Sequence, residues 1–353
     1  MAVPPLLRDL LTAVGPSGRE GPAAAVWREA AAPFAEVTSD TLGTSFARVH
    51  AGRAGEGPPL LAIVGHIDEI GISITYVGDD GLLAFSVLGG QDPEQMAGQR
   101  VLIAGRSGIL TGVVGRRMLS RDERRDRQPL KHTDLHIDIG ASSREDAERL
   151  VRPGDVAVWQ GEPLELENNR IASRALDNRL GAYSALEATR RVAEAGDAQL
   201  DVVAVAAVQE ELGYHGARTA SFALDPQVAI AIDVTWSTEV PGGNPKRVGK
   251  IEVGAGAAVT VGPVVSPVVS DLLRETAEAE GIGHCIEVYS DRTQTDADVV
   301  HVSRGGVPTG LVSIPVRYMH SPVEVCSLDD LEAVISLVAA FARRLDRETS
   351  FLR

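Results

Sequence analysis

Cysteine is scarce in this chain: Cys285 and Cys326 are the two in 353 residues. Two thiols make no disulfide framework, so an ordinary hydrophobic core must hold the fold, and reduced thiols suit a cytoplasmic location. Aromatic residues reach only 4%, which leaves little material for sugar-binding platforms. Basic residues are in deficit, 34 Lys and Arg against 49 Asp and Glu, for a net charge of −15. Nucleic acid is bound by cations that neutralise phosphates, and anionic membranes repel an acidic surface, so neither partner is expected. Every apolar run is broken by charge well before the ~20 residues needed to cross a bilayer. The opening "MAVPPLLRDLLTAVG" carries a base and an acid inside a short amphipathic stretch, which is not a secretory signal. The one basic cluster, Gly115 to His132, is interleaved with acids and reads as a solvated loop.

What the chain does have is a change of texture. Residues 4–13 and 21–33 show helical spacing, broken by "GPSG" at 15–18. Short strands follow: "FAEVTS", "SFARVH" and "LLAIVGH". From residue 70 to about 163 the pattern is β throughout, beginning with a hairpin whose turn is "GDDG". Only "SSREDAERL" reads as helical there, with Ser142 or Ser143 as its N-cap. Alternating strand and helix then resume, with a helix ended by Gly196 and a last helix from Leu328 to Arg344 capped by Ser327. The α/β texture on both sides of the β region predicts one discontinuous catalytic domain, 1–69 and 164–353, carrying an inserted small all-β domain, 70–163.

Five residues stand where short apolar segments would place them: His66, Asp177, Glu211, Asp233 and His320. Four follow apolar runs, and an open α/β sheet gathers its site at the carboxyl ends of its strands. Each is ambiguous alone. Asp177 at a helix start is an ordinary N-cap, an acidic pair is usually a solvated surface, and a lone His is seldom a ligand. Together, two imidazoles and three carboxylates with the spare acid Glu210 are what a two-metal hydrolase requires. Asp68 lies two residues after His66, on the same side of an extended segment, where it can orient the ring.

The motifs "LLTAVGPSGREG", "GHIDEIG", "RALDNRLG", "VQEELGYHGA", "AIDVT", "RGGVPTG" and "RYMHSP" resemble, in order and spacing, those of the TET-type dinuclear metallo-aminopeptidases, some of which carry an endoglucanase label. "GGQDPEQMAGQRVLIAG" and "DLHIDIGASSREDAERLVRPGD" are similar to that family's inserted domain. The resemblance implies a mixed-sheet α/β exopeptidase fold sandwiched by helices, with a barrel-like or PDZ-like dimerisation insert. It implies two divalent metals per chain, zinc first, with cobalt or manganese as alternatives. Asp177 would bridge them, His66 and Asp233 would complete one site, and Glu211 and His320 the other. Glu210 would be the general base, and Asp68 would orient His66. Substrates would be peptides with a free N-terminus, and chains would pair into dimers that build a tetrahedral dodecamer.

Three positions depart from the family's pattern. Asn178 replaces a second Asp, His215 stands where Arg is common, and Thr293-Gln294 replaces a glycine pair before "TDA". The last change bears on substrate preference. Another dinuclear amidohydrolase (dipeptidase, carboxypeptidase or deacylase) would use the same ligand set. A glycosidase would need two free carboxyls without paired histidines. A non-catalytic binding protein would be expected to have lost a ligand or Glu210, and all six positions are filled.

Overall fold

The computed structural model describes residues 2–51, 59–118 and 129–352, so residues 119–128 of the basic cluster lie outside it. The chain opens with α1 (Pro5–Thr12) and α2 (Gly21–Ala31), then β1 (Glu36–Ser39), β2 (Ser45–Val49) and β3 (Leu60–His66). The β region follows as β4 (Gly71–Val77), β5 (Leu83–Leu88), α3 (Pro93–Met96), β6 (Arg100–Gly105), β7 (Gly108–Arg116), β8 (Leu135–Asp138), α4 (Arg144–Glu148) and β9 (Val156–Trp159). The chain returns through β10 (Leu164–Leu166), β11 (Arg170–Ser173), α5 (Leu176–Ala195), β12 (Asp201–Ala207), α6 (His215–Leu224) and β13 (Val228–Trp236). It ends with α7 (Pro245–Val248), β14 (Ala257–Val261), α8 (Pro267–Glu280), β15 (His284–Val288), α9 (Ala297–Val300), β16 (Thr309–Arg317), β17 (Glu324–Ser327) and α10 (Leu328–Arg344).

Eleven strands form one mixed sheet in the order β1-β2-β12-β3-β13-β16-β17-β11-β10, with β14 joining β16 to β15. The central strands β12, β3, β13 and β16 run parallel. Strand β3 shows why "LLAIVG" is continuously apolar. Leu61 and Ile63 join the core under α1, α2, α5 and α10, while Leu60, Ala62 and Val64 pack with α6 and α9 on the other face. A parallel strand covered on both sides has no polar face to spare. Each fully buried aliphatic side chain there contributes about 1.5–3 kcal/mol.

The β region is a separate closed barrel, β4-β5-β8-β7-β6-β9, around its own core of Ile72, Ile74, Leu83, Val101, Ile103 and Ile137. Its first two strands are the expected hairpin. Ser143, not Ser142, caps α4, its hydroxyl accepting the N–H of Asp146 at 3.2 Å. The four-residue α3 went unpredicted because one turn is too short to show a period. Ser327 caps α10 by accepting the N–H of Asp329 at 3.1 Å, and Gly196 ends α5 in the left-handed region with φ 65°.

Candidate metal centre

The cluster forms where two central strands part. Strands β3 and β13 pair only from Leu61–Val228 to Val64–Ala231, so a crevice opens just before His66 and Asp233. Asp233 does not end its strand as its sequence suggests: β13 continues to Trp236, paired with β16. Divergence, not termination, makes the opening. Glu210 and Glu211 stand in the turn after β12, entered through Gln209 at φ 56° and left at Tyr214 with φ 62°. His320 lies three residues past β16, also at φ 60°.

Left-handed backbone at ordinary residues persists only where surroundings impose it. For His320 the constraint is the buried carboxylate of Glu324. Its Oε1 accepts the N–H of His320 at 2.9 Å and its Oε2 accepts the N–H of Asp177 at 3.0 Å. One side chain therefore fixes two backbone segments of the cluster. Asp177 is not a helix cap. Its ψ of 106° is non-helical, and its side chain turns into the crevice.

All five predicted residues meet there, together with Glu210. Asp177 Oδ1 lies 3.2 Å from His66 Nε2, and Asp177 Oδ2 lies 3.3 Å from His320 Nε2. His66 Nε2 is also 3.8 Å from Asp233 Oδ1 and 3.9 Å from Glu210 Oε2. His320 Nε2 is 3.6 Å from Glu211 Oε1. Ligand atoms about 2.0–2.1 Å from a tetrahedral cation stand about 3.3 Å from one another, so this spacing fits a shared divalent metal. Glu211 Oε1 is buried without a hydrogen-bond partner, an arrangement that costs free energy unless a cation or proton faces it. Neutral imidazole and carboxylate together suit zinc, cobalt or manganese. The donor set fits the metals that the sequence implies.

Charge in the cluster is unbalanced. Burial works against a charged His66, yet Glu210, Asp177, Asp68 and Asp233 around it raise its pKa well above the usual range. Burial also lowers His320, but Asp177 and Glu211 lift it to about 9. Burial would raise Asp177, and the two imidazoles hold it below the ordinary carboxylate range instead. Burial drives Glu210 up to about 11 and Glu211 up to about 8, with neighbouring carboxylates adding to both. Two imidazoles do not neutralise four carboxylates, and the surplus is room for cations.

Behind the cluster lies a supporting layer, of which the residue pattern announced only Asp68. Asp68 Oδ1 is 3.4 Å from His66 Nδ1, as expected. Its oxygens also accept the N–H groups of Glu210 and Glu211, at 3.0 and 3.2 Å, and the hydroxyl of Ser17 at 2.6 Å. Glu20 Oε1 accepts the N–H of Gln209 at 3.2 Å, tying "GPSGRE" to the same turn. Glu69 is buried between Arg174 and Arg179 and accepts the N–H of Gly15 at 3.2 Å. The sequence signal for Asp68 was its spacing from His66. Nothing in sequence pairs Glu324 with Asp177, 147 residues away.

The cluster opens into a cleft of about 400 Å³ walled by Tyr214, Thr235, Trp236, Tyr289, Thr293 and Met319 among others. The sequence profile of the M42 glutamyl aminopeptidases matches residues 47–337. The chain belongs to that family. It is 35% identical to the lysyl aminopeptidase of Pyrococcus furiosus over 315 residues, 88% of this chain and 87% of that one. Its fold superposes on a TET aminopeptidase from the marine sediment archaeon Thaumarchaeota archaeon SCGC AB-539-E09 with a TM-score of 0.90, at 32% identity, covering 97% and 96% of the two chains. It superposes on the Pyrococcus horikoshii TET1 peptidase, which can assemble into a tetrahedron or a large octahedral shell, with a TM-score of 0.84, 29% identity and coverage of 96% and 99%.

The Asn178 of this M42 chain has a clear local role. Its Nδ2 donates to the carbonyl of Ile232 at 2.9 Å, and its Oδ1 accepts the N–H of Gly181 at 2.8 Å. An ionised Asp could accept but not donate. The amide thus pins the start of α5 to β13 next to Asp233. His215 Nδ1 meets Gln209 Oε1 at 3.0 Å, at the rim of the acidic turn.

Proposed function

We propose that this M42 chain is a dinuclear metallo-aminopeptidase that removes N-terminal residues from peptides with a free amine. The observation that carries the reading is the split engagement of Asp177, whose two oxygens face two different imidazoles. A carboxylate so placed could be shared between two cations. His66 and Asp233 would hold one of them, and Glu211 and His320 the other. Two divalent metals, when bound, supply Lewis-acid polarisation of a carbonyl and a water acidic enough to attack it at neutral pH.

The chain's own residues do the rest. Glu210 is buried beside the cluster with its Oε2 toward His66 Nε2, 3.9 Å away, and it directly precedes the ligand Glu211. It takes a proton at Oε2 from the attacking water and returns it to the leaving amine. Asp68 positions His66 and, through the two N–H groups it accepts, the turn that carries both glutamates. A free substrate amine held at the cluster would fix the N-terminus there, and this requirement would make the reaction exopeptidic.

The barrel is read as the dimerisation module of a homo-oligomeric shell, on the strength of the TET1 peptidase's assembly. Among the described residues no helix is long and apolar enough to cross a membrane. Both cysteines are unpaired, which suits a reducing cytoplasm.

The test is release of p-nitroaniline from aminoacyl anilides after chelation, then after adding back zinc, cobalt or manganese. Activity restored by metal and absent on N-acetylated substrates is the expected result. Anilide hydrolysis indifferent to the chelator would contradict the metal-dependent reading.

A further inference from the structure

The barrel reaches the metal cluster through one loop. Between β5 and α3 the chain passes Gly89 and Gly90, and among the described residues lining the cleft only Gly90 comes from the barrel region. A Cβ on Gly90 would stand 3.1 Å from His320 Nδ1 and 3.5 Å from its Cε1. A Cβ on Gly89 would stand 3.0 Å from Glu211 Oε2. Gly89 has φ 77°, which by itself favours glycine. Gly90 lies outside the left-handed region, so its missing side chain answers to the space beside the imidazole.

The two imidazoles of the cluster are held differently. His66 is enclosed, with its side chain 2% exposed and its Nδ1 3.4 Å from Asp68. The side chain of His320 is 35% exposed, and both ion pairs of its ring run through Nε2. Its Nδ1 side meets the barrel loop instead. A ligand ring is oriented by what packs on it and by what meets its second nitrogen. The loop itself is well anchored. Gln91 Nε2 donates to the carbonyl of Gly71 and, at 3.1 Å, to that of Leu88. His132 Nε2 donates to the carbonyl of Gln91 at 3.1 Å, and Asp92 caps α3 by accepting the N–H of Glu94 at 2.9 Å. Gly71 opens β4, so the Gln91 amide ties the loop to the segment that leaves β3 after His66.

We infer that the barrel loop at Gly89 and Gly90 is a positioning element for one metal position, the one assigned to Glu211 and His320. The inference rests on the dinuclear reading and adds an asymmetry to it. His66 and Asp233 stand on β3 and β13 of the main sheet, and their position is independent of the loop. A side chain at residue 90 must displace either the anchored loop or the half-open ring, and the ring has fewer tethers. The barrel is thus part of the metal centre as well as a module beside it.

The experiment titrates the metal-free full-length protein with cobalt and follows visible absorption. Wild type is expected to take up two equivalents. Gly90→Val is expected to keep one tight equivalent and to bind the other about tenfold or more weakly. The absorption band it loses should be the band lost in His320→Ala, not the one lost in Asp233→Asn. Gln91→Ala, which frees the loop from Gly71, should weaken the same equivalent, and it decides the matter where Gly90→Val does not fold. Ser86→Ala, exposed on β5 of the same barrel, should match wild type. Two tight equivalents in the folded loop variants, equal weakening of both, or loss of the Asp233 band overturns the inference and leaves the dinuclear reading standing. Fewer than two equivalents in wild type overturns both.

Discussion

Asp68 accepts the backbone N–H of Glu210 at 3.0 Å, so the carboxylate that lies 3.4 Å from His66 Nδ1 also holds the turn carrying the proposed base. One buried side chain therefore links the proposed ligand His66 to the turn of the proposed base. Asp68→Asn keeps the shape but replaces one acceptor oxygen with an NH₂ group. That group would face an N–H, a hydroxyl or the His66 ring, each of which now meets an acceptor. Loss of such outer partners typically costs 10–100-fold in metal affinity or activity. We expect metal affinity, measured by competition with a chromogenic chelator, to fall by about that factor while the circular dichroism spectrum is retained. Wild-type affinity in the variant would show that the Asp68–His66 contact has no role in holding metal.

Glu210→Gln separates proton transfer from ligation. The amide is isosteric, so the turn and its hydrogen bond to Asp68 survive, but it cannot accept a proton at Oε2. General base catalysis is generally worth about 10²- to 10⁴-fold. We expect kcat to fall within that range with metal content, read by elemental analysis, unchanged. Near-normal kcat in the metal-loaded variant would sink the base assignment. Glu211→Gln should behave oppositely, losing metal along with activity, because Glu211 Oε1 is the unpartnered oxygen that faces His320.

The cluster was more legible in the sequence than the means of holding it. His66 ends β3 and Asp233 lies within β13, each directly after a buried apolar run, and an apolar run followed by a polar residue is a strong local signal. Strand divergence at β3 and β13 left no such signal, because it depends on how far two distant segments stay paired. Asp177 carried a misleading one: its position before a helix reads as a cap, but the helix frame begins only after Asn178. Glu324 and Glu20 were silent. Each acts on backbone N–H groups far along the chain, and a backbone donor has no residue identity to read. The β region was legible because two of its strand pairs, β4–β5 and β6–β7, are hairpins joined by short turns.

The unbalanced charge has a pH consequence for the metal-free protein. Burial, with Asp177 beside it, pushes Glu211 from an ordinary value near 4.5 to about 8. Between those values the folded chain keeps a proton that the unfolded chain has released, so raising the pH favours unfolding. His320, lifted from 6.5 to about 9, acts in the same direction over its own window. Asp177 is lowered and acts oppositely, but only below its ordinary value of 3.8. Metal-free protein should therefore lose thermal stability as the pH rises from about 5 to about 8, and added zinc should raise the melting temperature more at the upper end. Scanning fluorimetry with and without chelator gives both curves. A zinc-induced shift that shrinks with rising pH would contradict this account of the cluster's charge.

Helix α5 reaches the crevice because two glycines meet where it crosses β3. A Cβ on Gly65 would stand 2.3 Å from the carbonyl carbon of Gly181 and 2.6 Å from the N of Ala182. Both obstacles are backbone, so no rotamer change relieves them. A Cβ on Gly181 would meet Asn178 Oδ1 at 2.4 Å and the carbonyl of Ile232 at 2.5 Å. Gly65→Ala must push the helix from the strand, and overpacking of this kind costs about 1–3 kcal/mol. The displacement acts beside His66 and at the helix start that presents Asp177, so ligand geometry should suffer along with stability. We expect a lower melting temperature and a weakened zinc affinity in the same variant. Ala23→Gly in α2, a core position away from the cluster, should lower stability without changing zinc affinity. If both variants kept full zinc affinity, the close approach of α5 to β3 would be a packing feature with no part in building the metal centre.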